Sequence, residues 1–151
     1  LPLSGEGAWL GSARRFNTTG HLCSTQTNTT PMTTTQTGNT AETLAADHLT
    51  RQGLKIIARN VRCRGGEVDL IAEHRGTVVF VEVRLRKSQR FGGAAESITA
   101  TKQARIVLAA THWLNGAGRA QADRPCRFDV VLMDGLSSSK IEWIPDAFSA
   151  D

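Results

Sequence analysis

A chain of 151 residues with 18 Lys and Arg against 14 Asp and Glu, a formal charge of +4 and 40% hydrophobic residues has room for one domain with a core of ordinary size. No run reaches the ~18 apolar residues of a membrane-spanning helix. Residues 1–10 are broken by Gly5, Glu6 and Gly7 and lack a basic start, so they make no signal peptide and the expectation is a soluble, cytoplasmic protein.

From residue 16 to residue 41 there is no Asp, Glu, Lys or Arg, and 18–40 is crowded with Thr, Asn and Gly. Such a segment has too little apolar surface to offset its ordering entropy. It divides the chain into a disordered Thr-rich extension, 1–38, and a folded domain, 39–151. Leu1 is not a methionine and Met32 stands just ahead of the folded part, which leaves open a misplaced start or an added fragment. Residues 41–52 then read as an amphipathic helix capped by Thr40, with Leu44, Ala45, His48 and Leu49 inward and Gly53 as the stop. Glu42 lies in its first turn and shares a face with Ala45, Ala46 and Leu49. A strand follows over 54–61, and 62–66 turns into a hairpin.

That hairpin pairs 66–73 with 78–84 across His74-Arg75-Gly76-Thr77. Pairing Glu73 with Val78 sets Asp69 opposite Glu82 and Glu67 opposite Arg84. By alternation Glu67, Asp69, Phe80, Glu82 and Arg84 share one face, and Val68, Leu70, Ala72, Val79, Val81 and Val83 the other. Residues 85–93 form a basic, glycine-ended loop. Thr99 caps a second helix running to about residue 114, with Ile106, Val107, Ala110, Trp113 and Leu114 as its apolar stripe and Lys102 and Arg105 to one side. Strands follow at 128–133 and, before Pro145, at 141–144. Neighbouring strands flanked by helices make an α/β domain with a central mixed sheet, in the order α-β-β-β-α-β with a short final strand.

Like charges directly opposite on a sheet repel, so Asp69 facing Glu82 calls for something to hold. Opposed Cβ atoms stand ~4.5–5.5 Å apart, a span from which two carboxylates reach one Mg²⁺ or Mn²⁺. Glu42 could add a third acid, and Arg84 would offset the charge and grip a phosphate. The plainer readings are solvated carboxylates on a wet sheet face and a Glu67–Arg84 ion pair, worth ~0.2–1 kcal/mol if exposed. Between Arg51 and Arg105 twelve Lys and Arg stand against five Asp and Glu. That basic surround suits a polyanion, with Arg62, Arg64, Arg86, Lys87, Arg90 and Lys102 as its contacts, or simply a solvated surface. Asp129 reads as a structural acid. His48, His74 and His112 are too scattered to share a metal. Cys23, Cys63 and Cys126 fit neither a disulfide framework nor a zinc site.

The combination Gly66-Glu67-Val68-Asp69-Leu70-Ile71, Phe80-Val81-Glu82-Val83-Arg84, Phe91-Gly92, Lys102-Gln103 and Arg127-Phe128-Asp129-Val130 resembles the YraN family over about residues 38–148. That family is similar to the restriction-endonuclease-like PD-(D/E)xK nucleases and to archaeal Holliday junction resolvases. The resemblance implies a restriction-endonuclease-like core. It places Glu42, Asp69 and Glu82 on the family's acidic positions, Arg84 on the basic one and Gln103 on the glutamine of the following helix. The wider superfamily usually carries lysine where this chain has Arg84, and Ala41 replaces a glycine. Arginine keeps its proton in proteins, so Arg84 holds a phosphate or a water rather than acting as a general base. The expected activity is Mg²⁺- or Mn²⁺-dependent hydrolysis of DNA phosphodiesters, and cutting two strands favours a homodimer. The alternative is a non-catalytic nucleic-acid-binding protein of the same fold.

Overall fold

Thr33 opens the first helix because its hydroxyl accepts the Gln36 N–H at 3.3 Å while Gln36 Oε1 takes the Thr33 N–H at 2.9 Å, a reciprocal capping box. The computed structural model describes residues 30–86, 98–136 and 140–151. In it α1 spans Thr34–Arg51, so the helix begins ahead of the Thr40 cap expected from sequence. Thr40 instead donates to the Gln36 carbonyl at 2.8 Å, and Thr37 and Thr43 make the same bond four residues back. A threonine that satisfies itself on its own helix does not end it. Residues 34–38, expected to be disordered, are therefore helical, and the folded unit begins at Met32. The rest of the expected extension, residues 1–29, lies outside the described residues.

Ala41, Ala45, Ala46 and Leu49 bury the inner face of α1, with Leu44 and His48 only partly covered. β1 (Lys55–Cys63), β2 (Gly66–His74) and β3 (Thr77–Leu85) form two successive hairpins. The second turns at Arg75 (φ 51°) and Gly76 (φ 83°), the paired positive dihedrals that match the twist of a two-residue hairpin. α2 (Ala100–Asn115) crosses over to β4 (Cys126–Met133), which runs parallel to β3, and β5 (Ile141–Phe148) returns antiparallel. The result is a five-stranded mixed sheet in sequential order. β5 runs past the expected end at residue 144. A register shift between Phe128 and Val130, with Asp146 at φ 52°, accommodates Pro145 on this edge strand.

One face of the sheet, with Leu70, Ala72, Val79, Val81, Val131 and Met133, packs on α1. The other packs Ile71, Val78, Phe80 and Phe128 on Ile106, Ala109, Ala110 and Trp113 of α2. Val68 joins this second cluster, so it does not share a face with Leu70 as strict alternation predicts. The break falls at Asp69, beside Asn60, which sits at φ 51° in β1. α2 comes so close to the start of β2 that a Cβ on Gly66 would run into the Arg105 carbonyl and stand 3.0 Å from the Ala109 nitrogen.

Asp129 is fully buried in β4 and takes four donors. Arg127 Nε and the Asp146 N–H reach Oδ1 at 2.9 Å each, while Arg127 Nη2 at 3.1 Å and Trp143 Nε1 at 2.9 Å reach Oδ2. Arg127 Nη2 also lies 3.1 Å from His74 Nδ1, so the neutral ring accepts there. Partial burial first, then Arg127 and Arg75, hold the His74 pKa below its usual range, with Asp129 opposing.

Two substitutions test this packing. Gly66→Ala should lower stability by about 1–3 kcal/mol, since helix backbone rather than a flexible side chain must yield. A melting temperature equal to wild type would mean that α2 moves freely. Asp129→Ala strands the Arg127 guanidinium and should cost about 3 kcal/mol by denaturant titration, the low end for a broken buried pair because Arg127 keeps some solvent contact.

Candidate functional site

Below the hairpin turn the partners of β2 and β3 follow the expected register from His74–Thr77 to Leu70–Val81 and stop there. The next residue of β2 is Asp69. Its Oδ2 accepts the Val83 N–H at 2.8 Å, a donor the strand ladder would otherwise use. The two strands therefore part with a carboxylate between them, and the predicted Glu67–Arg84 opposition does not form. Glu67 pairs with Arg62 on β1 at 3.0 Å.

Glu82 faces the α2 side of the split and is buried. Its Oε1 meets Lys102 Nζ at 3.2 Å, while the buried Oε2 receives no N–H donor among the described residues. Asp69 and Glu82 are close enough to perturb each other: burial first, then the Glu82 charge and a carboxyl–carboxyl hydrogen bond to Glu82, push the Asp69 carboxyl up to about 7, against the Val83 N–H and Lys102. Glu42 approaches from α1. Partial burial holds its carboxyl above the usual range; the Asn60 side chain and Arg62 favour the anion, and Asp69 and Glu67 oppose it. Asp69 is thus sensed from both layers of the fold.

Glu82, Val83, Arg84, Leu85, Thr99 and Lys102 line a cleft of about 430 Å³. The structure so brings Asp69, Glu82, Arg84 and Lys102 together, with Glu42 near Asp69. Gln103 is used differently: its amide donates to the Ile98 carbonyl at 3.1 Å and tethers the entry to α2. Arg86 is committed to Glu142 at 2.6 Å and Asp134 at 3.8 Å on the β4–β5 side. Arg62 and Arg64 are exposed, and Lys87 and Arg90 lie outside the described residues. Sequence reasoning placed Lys102 on the basic rim and missed its bond to Glu82. The available signal was a lysine in the first turn of a helix that has no acid there.

Among the described residues no three His, Cys, Asp or Glu side chains form a ready cation cage. Mg²⁺ sites commonly use only one or two carboxylates and complete themselves with water and substrate phosphates. Asp69 and Glu82 supply such a pair: Lys102 balances the Glu82 charge at Oε1, while Oε2 is a buried acceptor with lone pairs still open to a ligand. The donor set suits a hard divalent cation.

A folded Asp69 that titrates near 7 keeps a proton which the unfolded chain releases near 3.8. Its contribution is complete below the unfolded value and is lost as pH rises through about 7, so metal-free stability should fall across that window. Asp69→Asn should flatten the fall and melt at or above the wild-type temperature near pH 8. Melting curves in EDTA across the range check this, and an unchanged slope in Asp69→Asn would assign the titration elsewhere.

The family comparisons cover the stretch that carries these residues. Residues 41–133 match the uncharacterised protein family UPF0102, a span that holds Glu42, Asp69, Glu82, Arg84, Lys102 and Gln103. A UPF0102 protein of Methylobacillus flagellatus is 51% identical over 76% of this chain and 98% of its own length. One from Dechloromonas aromatica is 55% identical over 79% of this chain and 93% of its own, and one from Nitrosomonas europaea is 53% identical over 74% and 92%. With a matched core of this extent and half or more of the aligned residues identical, the chain belongs to the UPF0102 family, the YraN family that its motifs resemble.

Proposed function

We propose that this protein hydrolyses nucleic-acid phosphodiesters, with DNA as substrate and Mg²⁺ or Mn²⁺ as cofactor. The observation that carries the reading is the buried, half-unsatisfied Glu82 set against Asp69, at a cleft walled by Arg84, Lys102 and the start of α2. A bound divalent cation supplies a Lewis acid for a phosphoryl oxygen and a water of lowered pKa. The chain's own residues do the rest. Asp69 and Glu82 hold the cation, and Arg84 grips a phosphate oxygen with its planar fork. Thr99 caps α2, whose positive end favours an anion in the cleft. Exposed Arg62 and Arg64 extend the cationic surface along the β1–β2 turn. Free thiols at Cys63 and Cys126 fit a reducing cytoplasm. No helix among the described residues is long and apolar enough to cross a membrane. Cutting both strands of a duplex would use two copies of the site in a homodimer.

A second reading, nucleic-acid binding without catalysis, is favoured by two observations. Arg84 stands where the nucleases that the family resembles usually carry lysine, and among the described residues no third carboxylate closes a cation cage around the pair.

Purified protein with Mn²⁺ on labelled single-stranded, duplex and branched DNA separates the two. Glu82→Ala should abolish cleavage. Arg84→Ala should weaken DNA binding and cleavage together by about tenfold or more, the equivalent of a lost charge-assisted hydrogen bond of ~1.5–3 kcal/mol. Arg84→Lys should recover part of both. Affinity unchanged in Arg84→Ala at fixed salt would exclude this cleft as the substrate site, and binding without cleavage in any metal would favour the second reading.

A further inference from the structure

Lys102 stands where a cation is poorly served by its own helix. It occupies the first turn of α2, whose exposed N–H groups carry positive partial charge, and no acid of that turn offsets it. Its counter-charge comes from another layer: Glu82 Oε1, 3.2 Å from Nζ. The two partners differ in freedom. The Lys102 side chain is 32% exposed, and that of Glu82 only 7%. The ammonium can therefore swing into the cleft, while the carboxylate cannot follow it.

From this asymmetry we propose that Lys102 is an exchangeable counter-ion: a divalent cation at Asp69–Glu82 displaces its ammonium, which then turns to an anionic substrate in the same cleft. The inference rests on the metal reading above and goes beyond it by coupling two binding events. Without the cation, Lys102 is committed to Glu82 and contributes little to polyanion binding. With the cation in place, a dication repels the ammonium, and Arg84 and Thr99 mark where it goes, since both line the cleft with it. Coupling of this kind is reciprocal, so the polyanion tightens cation binding by the factor with which the cation tightens polyanion binding. Lys102 is in these terms a positioning residue that makes substrate affinity conditional on a loaded metal site.

The test uses Ca²⁺ as the probe cation and a short fluorescein-labelled single-stranded oligonucleotide as the polyanion, at fixed salt. Calorimetry reads Ca²⁺ affinity, and anisotropy reads oligonucleotide affinity in EDTA and in saturating Ca²⁺. Lys102→Gln should bind Ca²⁺ on the order of tenfold more tightly, because a competing positive charge is gone. In EDTA its oligonucleotide affinity should fall only a few-fold, the effect of an unbalanced Glu82 charge, while in Ca²⁺ it should lose on the order of tenfold. Lys102→Arg should restore the competition with Ca²⁺. An oligonucleotide loss of equal size with and without Ca²⁺ would make Lys102 an ordinary rim cation and overturn the proposal. So would an unchanged Ca²⁺ affinity in Lys102→Gln when wild type binds the ion, although the metal reading would then stand. Wild type alone gives an independent check, since absence of coupling between Ca²⁺ and oligonucleotide overturns the exchange whatever the variants do. Wild type that binds neither Ca²⁺ nor Mn²⁺ at millimolar concentration would remove the metal reading itself.

Discussion

The bond from the Val83 N–H to the Asp69 carboxylate is the constraint around which the site is organised. A strand ladder tolerates no spare donors, so once Asp69 takes that N–H the β2–β3 pairing must end. Several features follow from the split. Side-chain alternation breaks at Asp69, which sends Val68 to the α2 layer and Leu70 to the α1 layer. Glu82 loses its cross-strand neighbour and is left beneath α2. The charge of Asp69 becomes visible to Glu42 on one side and to Glu82 and Lys102 on the other.

The fold satisfies one buried acid and leaves another wanting. Asp129 is as deeply buried as any residue of the core, and four donors from Arg127, Trp143 and the Asp146 backbone complete both of its oxygens. An acid provided for in this way has no lone pair to spare for a ligand. Glu82 has one lysine on one oxygen and, among the described residues, no N–H donor on the other. Leaving a buried carboxylate oxygen without a partner costs roughly 1–3 kcal/mol, more when it is charged. Under the proposed function a divalent cation would be the partner that completes Glu82.

The remaining architecture positions that opening. The close approach of α2 to Gly66 brings the helix hard against the start of β2, and the Arg105 Nε bond to the Gly65 carbonyl at 3.3 Å reinforces it. The first turn of α2 consequently stands over the β2–β3 split, where Thr99 caps it, Gln103 ties it to Ile98 and Lys102 reaches Glu82. The parallel step from β3 to β4 requires a crossover of this kind. Topology and site are thus joined through the same helix.

Local pattern carried much of this in the sequence. Alternation and turn residues gave the central hairpin, its register at the turn, the strand and turn ahead of it and most of the apolar stripes of the two helices, because these depend on neighbours only a few positions away. The same pattern singled out Asp69, Glu82 and Arg84. It misjudged the start of α1, since threonines that bond back onto their own helix look like threonines that end one. It also extended a regular ladder through Asp69, where a side chain replaces backbone as the acceptor. The Glu82–Lys102 pair, the Glu67–Arg62 pair and the approach of Glu42 join residues from different elements. Periodicity carries no information about such meetings. They are decided by where two hairpins, a crossover and a close-packed helix leave each charge once the apolar faces have been buried.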